Sequence, residues 1–183
     1  MRMRRRLTRL LIVTGLPGTG KTTLARLLAG RWCAPFLGKD LIKERLFDRL
    51  GAPDAAASQR LSDASFAIQF AVTGELVAAG VSAVLEGNFR PEHAGQVLEL
   101  ARPVTCAQVL CRVDESERMR RLRARASDPA RHAGHRDAEL ARSGASGAAY
   151  LSIPGERFLF GGTQAPDWPA LLERLDGWWN DGQ

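Results

Sequence analysis

Lysine is scarce in this chain: Lys21, Lys39 and Lys43 stand among 26 basic residues in a total of 183. The two cations are not interchangeable, so a position that keeps lysine where arginine is the rule is informative. Cysteine is equally sparse. Cys33, Cys106 and Cys111 are odd in number, form no C-x-x-C pair and sit in apolar stretches, which argues against a disulfide framework and for reduced core thiols in a cytoplasmic protein. Long apolar runs are missing as well. The run from Leu10 to Val13 follows Arg9 and is too short for a secretory signal, and nothing approaches the ~20 apolar residues of a membrane span.

The formal net charge of +6 is concentrated at one end, where Arg2, Arg4, Arg5, Arg6 and Arg9 lie; the remainder holds 21 basic against 20 acidic residues. Residues 1–9 are therefore expected to form a solvated tail rather than a nucleic-acid arm, with a single domain over residues 10–183. A chain of this length buries roughly 70% of its unfolded surface and needs no staple.

Leu10 to Val13 reads as a buried parallel strand, and Thr22 to Arg31 repeats apolar residues at helical spacing. Pro35 to Leu37 is a second short strand, and Asp40 is placed to cap a helix from Leu41 to Leu50. Further helices are predicted over Ser58 to Ala79, Glu92 to Ala101, Asp114 to Ala126 and Pro169 to Trp179, with strands at Val81 to Glu86, Val104 to Val113 and Phe158 to Phe160. Strands alternating with helices predict an α/β chain: a parallel sheet covered on both faces, with ligands at the carboxyl ends of the strands. The segment from Ser127 to Gly147 is polar and short of apolar residues, as a lid would be.

Gly15-Leu16-Pro17-Gly18-Thr19-Gly20-Lys21-Thr22 matches G-x-x-x-x-G-K-[ST] between a predicted strand and a predicted helix. Glycines let the backbone curl into a nest of N–H donors, and the helix that follows directs its positive end at an anion. Gly15, Pro17, Gly18, Thr19, Gly20, Lys21, Thr22 and the adjoining Thr23 are thus the candidate nucleotide-binding residues. Lys21 would reach the β- and γ-phosphates, and the Thr22 hydroxyl would ligate magnesium. ATP is favoured over GTP because no [NT]-K-x-D pattern follows the fourth strand, where Cys111-Arg112-Val113-Asp114 stands.

Phosphoryl transfer needs positioning and charge neutralisation, hence a carboxylate facing an acceptor, an acidic group near the metal and arginines. Asp40 follows the second strand, where it can accept the acceptor's proton. With Lys39-Asp40 and Lys43, and with Glu86-Gly87-Asn88-Phe89-Arg90-Pro91 closing the third strand, the chain resembles the small P-loop kinases. That group includes the 5′-hydroxyl polynucleotide kinases and the zeta-toxin-like and chloramphenicol-type phosphotransferases. The resemblance implies a three-layer α/β/α P-loop fold, with a five-stranded parallel sheet in the order 2-3-1-4-5 and a helical lid near residues 118–147. It also implies that Glu86 orients metal-bound water, that Asp40, Lys43, Asn88 and Arg90 face the acceptor, and that Arg121 and Arg125 are catalytic.

Arg118, Arg121 and Arg125 fall on one side of their helix, opposite Met119, Leu122 and Ala126, which predicts a basic stripe turned from the core. His132 and His135 lack a third ligand at sensible spacing and read first as solvated loop. Trp168, Trp178 and Trp179 read as core packing of the last helix, and Thr163 stands where relatives close a strand near the adenine in a different pattern. The expected activity is ATP-dependent transfer to a hydroxyl of a small molecule. The near-neutral body of the domain weighs against a 5′-hydroxyl polynucleotide kinase, and acceptor-side residues weigh against a regulatory ATPase.

Overall fold

The computed structural model describes residues 7–135, 147–162 and 168–181. Arg2, Arg4, Arg5 and Arg6, the distal part of the expected lid and Thr163 lie outside the described residues.

Strand β1 (Arg9–Gly15) is buried along its whole length. Its apolar run is unbroken because both of its faces are covered, as in parallel sheets generally. Around it stand β2 (Phe36–Gly38), β3 (Ala83–Gly87), β4 (Thr105–Val113) and β5 (Glu156–Gly162), in the order β2-β3-β1-β4-β5. All pairings are parallel, so the expected sheet and strand order are those observed. The register sets Glu86 of β3 between Val13 of β1 and Gly38 of β2. A carboxylate is thereby placed at the carboxyl edge in the middle of the sheet.

Helices α1 (Lys21–Arg31), α2 (Lys39–Leu50), α3 (Ala55–Ala78), α4 (Ala94–Ala101), α5 (Glu115–Ala126) and α6 (Trp168–Asn180) complete the layers. Side chains alternate across a strand, so Leu11 and Val13 point to one face and Leu10 and Ile12 to the other. The first pair packs with Leu24 and Leu28 of α1 and with Leu175, Trp178 and Trp179 of α6. The second packs with Phe66 and Phe70 of α3 and Val97 of α4. Trp32 stacks on Trp179 with centroids 4.2 Å apart, so Trp178 and Trp179 are core residues as expected.

Several local expectations are corrected. Arg9 belongs to β1, not to a solvated tail; it is buried, lies over the Trp178 ring at 5.3 Å, and donates to the Asp181 carbonyl. The cap of α2 is Gly38, because the helix starts directly at the end of β2 and Asp40 is already in its first turn. Strand β3 begins at Ala83 rather than Val81, and a short 3-10 turn (Pro91–His93) precedes α4. Cys33 is exposed, whereas Cys106 and Cys111 are buried, and burial pushes both of those thiols up to about 12. No helix among the described residues is long and apolar enough to cross a membrane.

Candidate active site

The loop from Gly15 to Gly20 leaves β1 and enters α1 by a backbone path that side chains would obstruct. Gly15 has φ +155°, and a Cβ there would lie 2.6 Å from the Cys111 carbonyl oxygen; Gly18 has φ +91° and packs against Arg118. Thr19 closes the loop on itself, its hydroxyl donating to the Leu16 carbonyl at 2.8 Å. Gly20, left-handed, is the cap residue of α1 and supplies no side-chain hydrogen bond. The positive end of α1 is left to an anion.

Helix α5 is fastened to this loop. Arg118 is 1% exposed, contrary to the expected solvated stripe: its guanidinium donates to the Pro17 carbonyl at 3.4 Å and to the Glu115 carboxylate at 2.7 and 2.8 Å. Arg121 donates to the Gly18 carbonyl at 3.4 Å and to Glu117 at 2.7 Å. Hydrogen bonds from Arg120 and Arg121 hold the Glu117 carboxyl down at about 2. Arg118 and Arg121 therefore hydrogen-bond the loop backbone, while Arg125, one turn beyond Arg121, lines the cleft.

That cleft encloses about 680 Å³. Of the residues singled out from the sequence, Pro17, Lys21, Thr22, Asp40, Lys43, Glu86, Asn88, Arg90 and Arg125 all line it. Gly15, Gly18, Thr19 and Gly20 form the loop itself, Thr23 is exposed on α1, and Arg121 stays with the loop backbone.

Glu86 is 1% exposed, with one carboxylate oxygen 3.6 Å from the Lys21 ammonium. Burial raises its carboxyl above the ordinary range, against the opposing pull of Lys21. The oxygen nearest Lys21 accepts no hydrogen bond from the described residues. A buried acceptor atom without a donor fits a site that takes the water shell of a hard cation beside the Thr22 hydroxyl. Asp40 behaves in the opposite way. Burial favours its neutral form, but the combined fields of Lys39, Lys21 and His135, with a hydrogen bond from Lys39 at 3.3 Å, keep the carboxyl below its usual range. It is ionised at neutral pH.

His132 and His135 are not solvated loop. His132 Nε2 is 2.8 Å from Asp48 and His135 Nε2 is 2.6 Å from Glu44, two carboxylates one turn apart on α2. The pairs tie the segment beyond α5 to α2, and His135 lines the cleft.

Sequence reasoning missed three contributors. Gln69 is 0% exposed and donates to the Leu37 and Glu86 carbonyls, both at 2.7 Å, locking the ends of β2 and β3 together. Its signal was an amide among Phe66, Phe70 and Thr73 on the buried side of α3. Ser58 and Ser62, one turn apart on α3, accept hydrogen bonds from Lys43 at 2.9 Å and Lys39 at 3.3 Å.

A family model described as an AAA domain matches residues 10–146. A crystal structure from Chloroflexus aurantiacus j-10-fl, described as a candidate kinase, is 30% identical with a TM-score of 0.83, covering 93% of this chain and 98% of that one. A gluconokinase from Sinorhizobium meliloti 1021 is 19% identical with a TM-score of 0.59, over 95% of this chain and 93% of that one. The APS kinase of Mycobacterium tuberculosis, in complex with AMPPNP and APS, is 20% identical with a TM-score of 0.59, over 93% and 96%. At those identities the last two show the shared fold alone. No curated protein gives a significant match. The matched span, the strand order and the loop place the chain in the AAA domain family, among its small P-loop kinases.

Proposed function

We propose that the protein transfers the γ-phosphoryl group of ATP to a hydroxyl of a small-molecule acceptor. The observation that carries this reading is the convergence on one cleft of Lys21 from the phosphate loop, Asp40 from the first turn of α2, and Glu86 from the end of β3. A pure nucleotide switch has no need of an ionised carboxylate held by a second lysine in the same cleft.

In this reading the loop amides and Lys21 hold the polyphosphate, with Arg125 facing it from α5. Magnesium, when bound, supplies charge neutralisation at the transferring group; the Thr22 hydroxyl and, through water, Glu86 are the residues that would hold it. Asp40 takes the proton of the acceptor hydroxyl as its oxygen bonds to the γ-phosphorus. The bond from that phosphorus to the oxygen bridging the β- and γ-phosphates breaks, leaving ADP and a phosphate monoester. Asn88 and Arg90 bound the acceptor side. Because Asp40 is ionised at neutral pH, it is ready to accept without prior deprotonation.

Asp40→Asn keeps the size and removes the base. The expected result is unchanged ATP affinity by calorimetry and transfer reduced about 10²- to 10⁴-fold. Full transfer by that variant would remove Asp40 from the chemistry.

A further inference from the structure

On the buried side of α3, Gln69 stands beside Phe66 and Phe70, two core residues, and is 0% exposed. Other polar residues of that side bond within the helix: Ser65 donates to the Leu61 carbonyl at 2.6 Å and Thr73 to the Gln69 carbonyl at 2.7 Å. Gln69 reaches out of it. Its amide nitrogen donates to the Leu37 and Glu86 carbonyls, both at 2.7 Å, 32 and 17 positions away. Two carbonyl acceptors fix which end of the amide faces them. The amide oxygen accepts no hydrogen bond from the described residues. A half-satisfied buried amide is a costly way to fill a core that leucine would fill. What the side chain contributes is the pair of contacts at its nitrogen.

Those contacts fall where the β2–β3 ladder ends. The last paired residues are Gly38 and Glu86; beyond them β2 turns into α2 at Lys39 and β3 closes at Gly87. Strand β2 is an edge strand of three residues, joined only to β3, so few ladder bonds hold its end. Asp40 follows from this end, three positions after Leu37, and Glu86 itself carries the other carbonyl. The strands are close there: a Cβ on Gly38 would lie 3.4 Å from a Glu86 carboxylate oxygen. The spacing of β2 from β3 therefore sets how far Asp40 stands from Glu86, whose carboxylate is 3.6 Å from Lys21.

We infer that Gln69 is a positioning residue: from behind the cleft it holds the ends of β2 and β3 at the separation that phosphoryl transfer requires between Asp40 and Glu86. This rests on the kinase reading above, which takes Asp40 as the base and Glu86 as a holder of metal-bound water. A displacement of about 1 Å near reacting groups costs on the order of 10²-fold in rate. Loss of an outer partner of a metal site costs roughly 10- to 100-fold in metal affinity or activity. The phosphate loop is carried by β1 and α1 and takes neither of the Gln69 donors, so nucleotide binding without metal does not depend on this residue.

Gln69→Leu keeps the bulk and removes both donors. Calorimetry with AMPPNP, with and without magnesium, is the first readout and needs no acceptor. Metal-free affinity is expected within about threefold of wild type, while the gain in affinity on adding magnesium falls roughly tenfold. In label transfer from γ-labelled ATP, kcat is expected to fall about tenfold to a hundredfold, with KM for ATP changed far less.

Phe70→Leu is the control for stability. It thins the same apolar layer without removing either hydrogen bond, and should lower Tm while leaving the magnesium gain and kcat near wild type. Gln69→Glu, of the same length and with a single O–H donor when neutral, should fall between wild type and Gln69→Leu, and it carries the test should Gln69→Leu not fold. An unchanged magnesium gain and kcat in a folded Gln69 variant, or equal losses in Phe70→Leu at the same Tm, overturns the inference and leaves the kinase reading standing. Wild-type label confined to inorganic phosphate, whatever the acceptor pool, overturns both.

Discussion

Asp40 and Glu86 are two carboxylates on one cleft whose surroundings displace them in opposite directions. Burial dominates at Glu86 and raises its carboxyl; at Asp40 the neighbouring cations outweigh burial and lower it. The consequence for stability follows from linkage. A carboxylate depressed in the folded state contributes stability above its unfolded value, here the ordinary 3.8, and that contribution is lost as pH falls through the lower folded value. Glu86 has the reverse sign: its contribution is largest in acid and declines as pH rises through its raised folded value. Thermal melts of Asp40→Asn should therefore fall less steeply than wild type on acidification below 3.8, with the curves converging once the wild-type Asp40 carboxyl is protonated. Parallel curves over that range would mean that Lys39 and Lys21 do not hold the carboxylate as described.

The phosphate loop is an element in which glycine is demanded by space as well as by dihedral angle. Alanine at Gly15 would place its Cβ 2.6 Å from a backbone oxygen of β4 and 2.8 Å from the Thr19 hydroxyl. Backbone cannot yield as a flexible side chain can, so overpacking of about 1–3 kcal/mol is expected, and for a domain of this size a Tm lower by roughly 2–4 °C per kcal/mol. Calorimetry should show that fall together with weakened nucleotide binding; an unchanged Tm would contradict the close approach of the loop to β4.

The same element explains what was legible in the sequence. Eight consecutive residues specify the loop, so its presence between strand and helix could be read directly. Its clamp could not. Arg118 joins Arg121 and Arg125 on a helix side that periodicity assigns to solvent, and only the folded chain brings the Pro17 carbonyl to it, 101 positions away. His132 and His135 have partners 84 and 91 residues distant, and no local pattern announces such pairs. Gln69 was visible as an amide on an apolar helix side, but its two acceptors exist only once β2 and β3 pair. The α2 cap was misassigned because Asp40 has the right side chain, whereas the chain turns two residues earlier, at Gly38.

At the scale of the whole molecule, composition concealed the distribution of charge. Beyond its basic first residues the chain is nearly neutral, yet among the described residues seven lysines and arginines and four carboxylates gather at one end of the sheet. Parallel topology causes this, because the carboxyl ends of β1, β2 and β3 and the start of α1 all open on the same edge. The phosphate loop after β1, Asp40 after β2 and Glu86 at the end of β3 are thus brought to one cleft by different strands of one sheet.

The most direct test of the central claim is the destination of the label when wild-type protein is incubated with γ-labelled ATP, magnesium and pools of small hydroxylated molecules. Label is expected in an organic phosphate monoester drawn from the small-molecule pool, formed faster than inorganic phosphate is released. Label appearing solely as inorganic phosphate, at a rate indifferent to every pool, would contradict it.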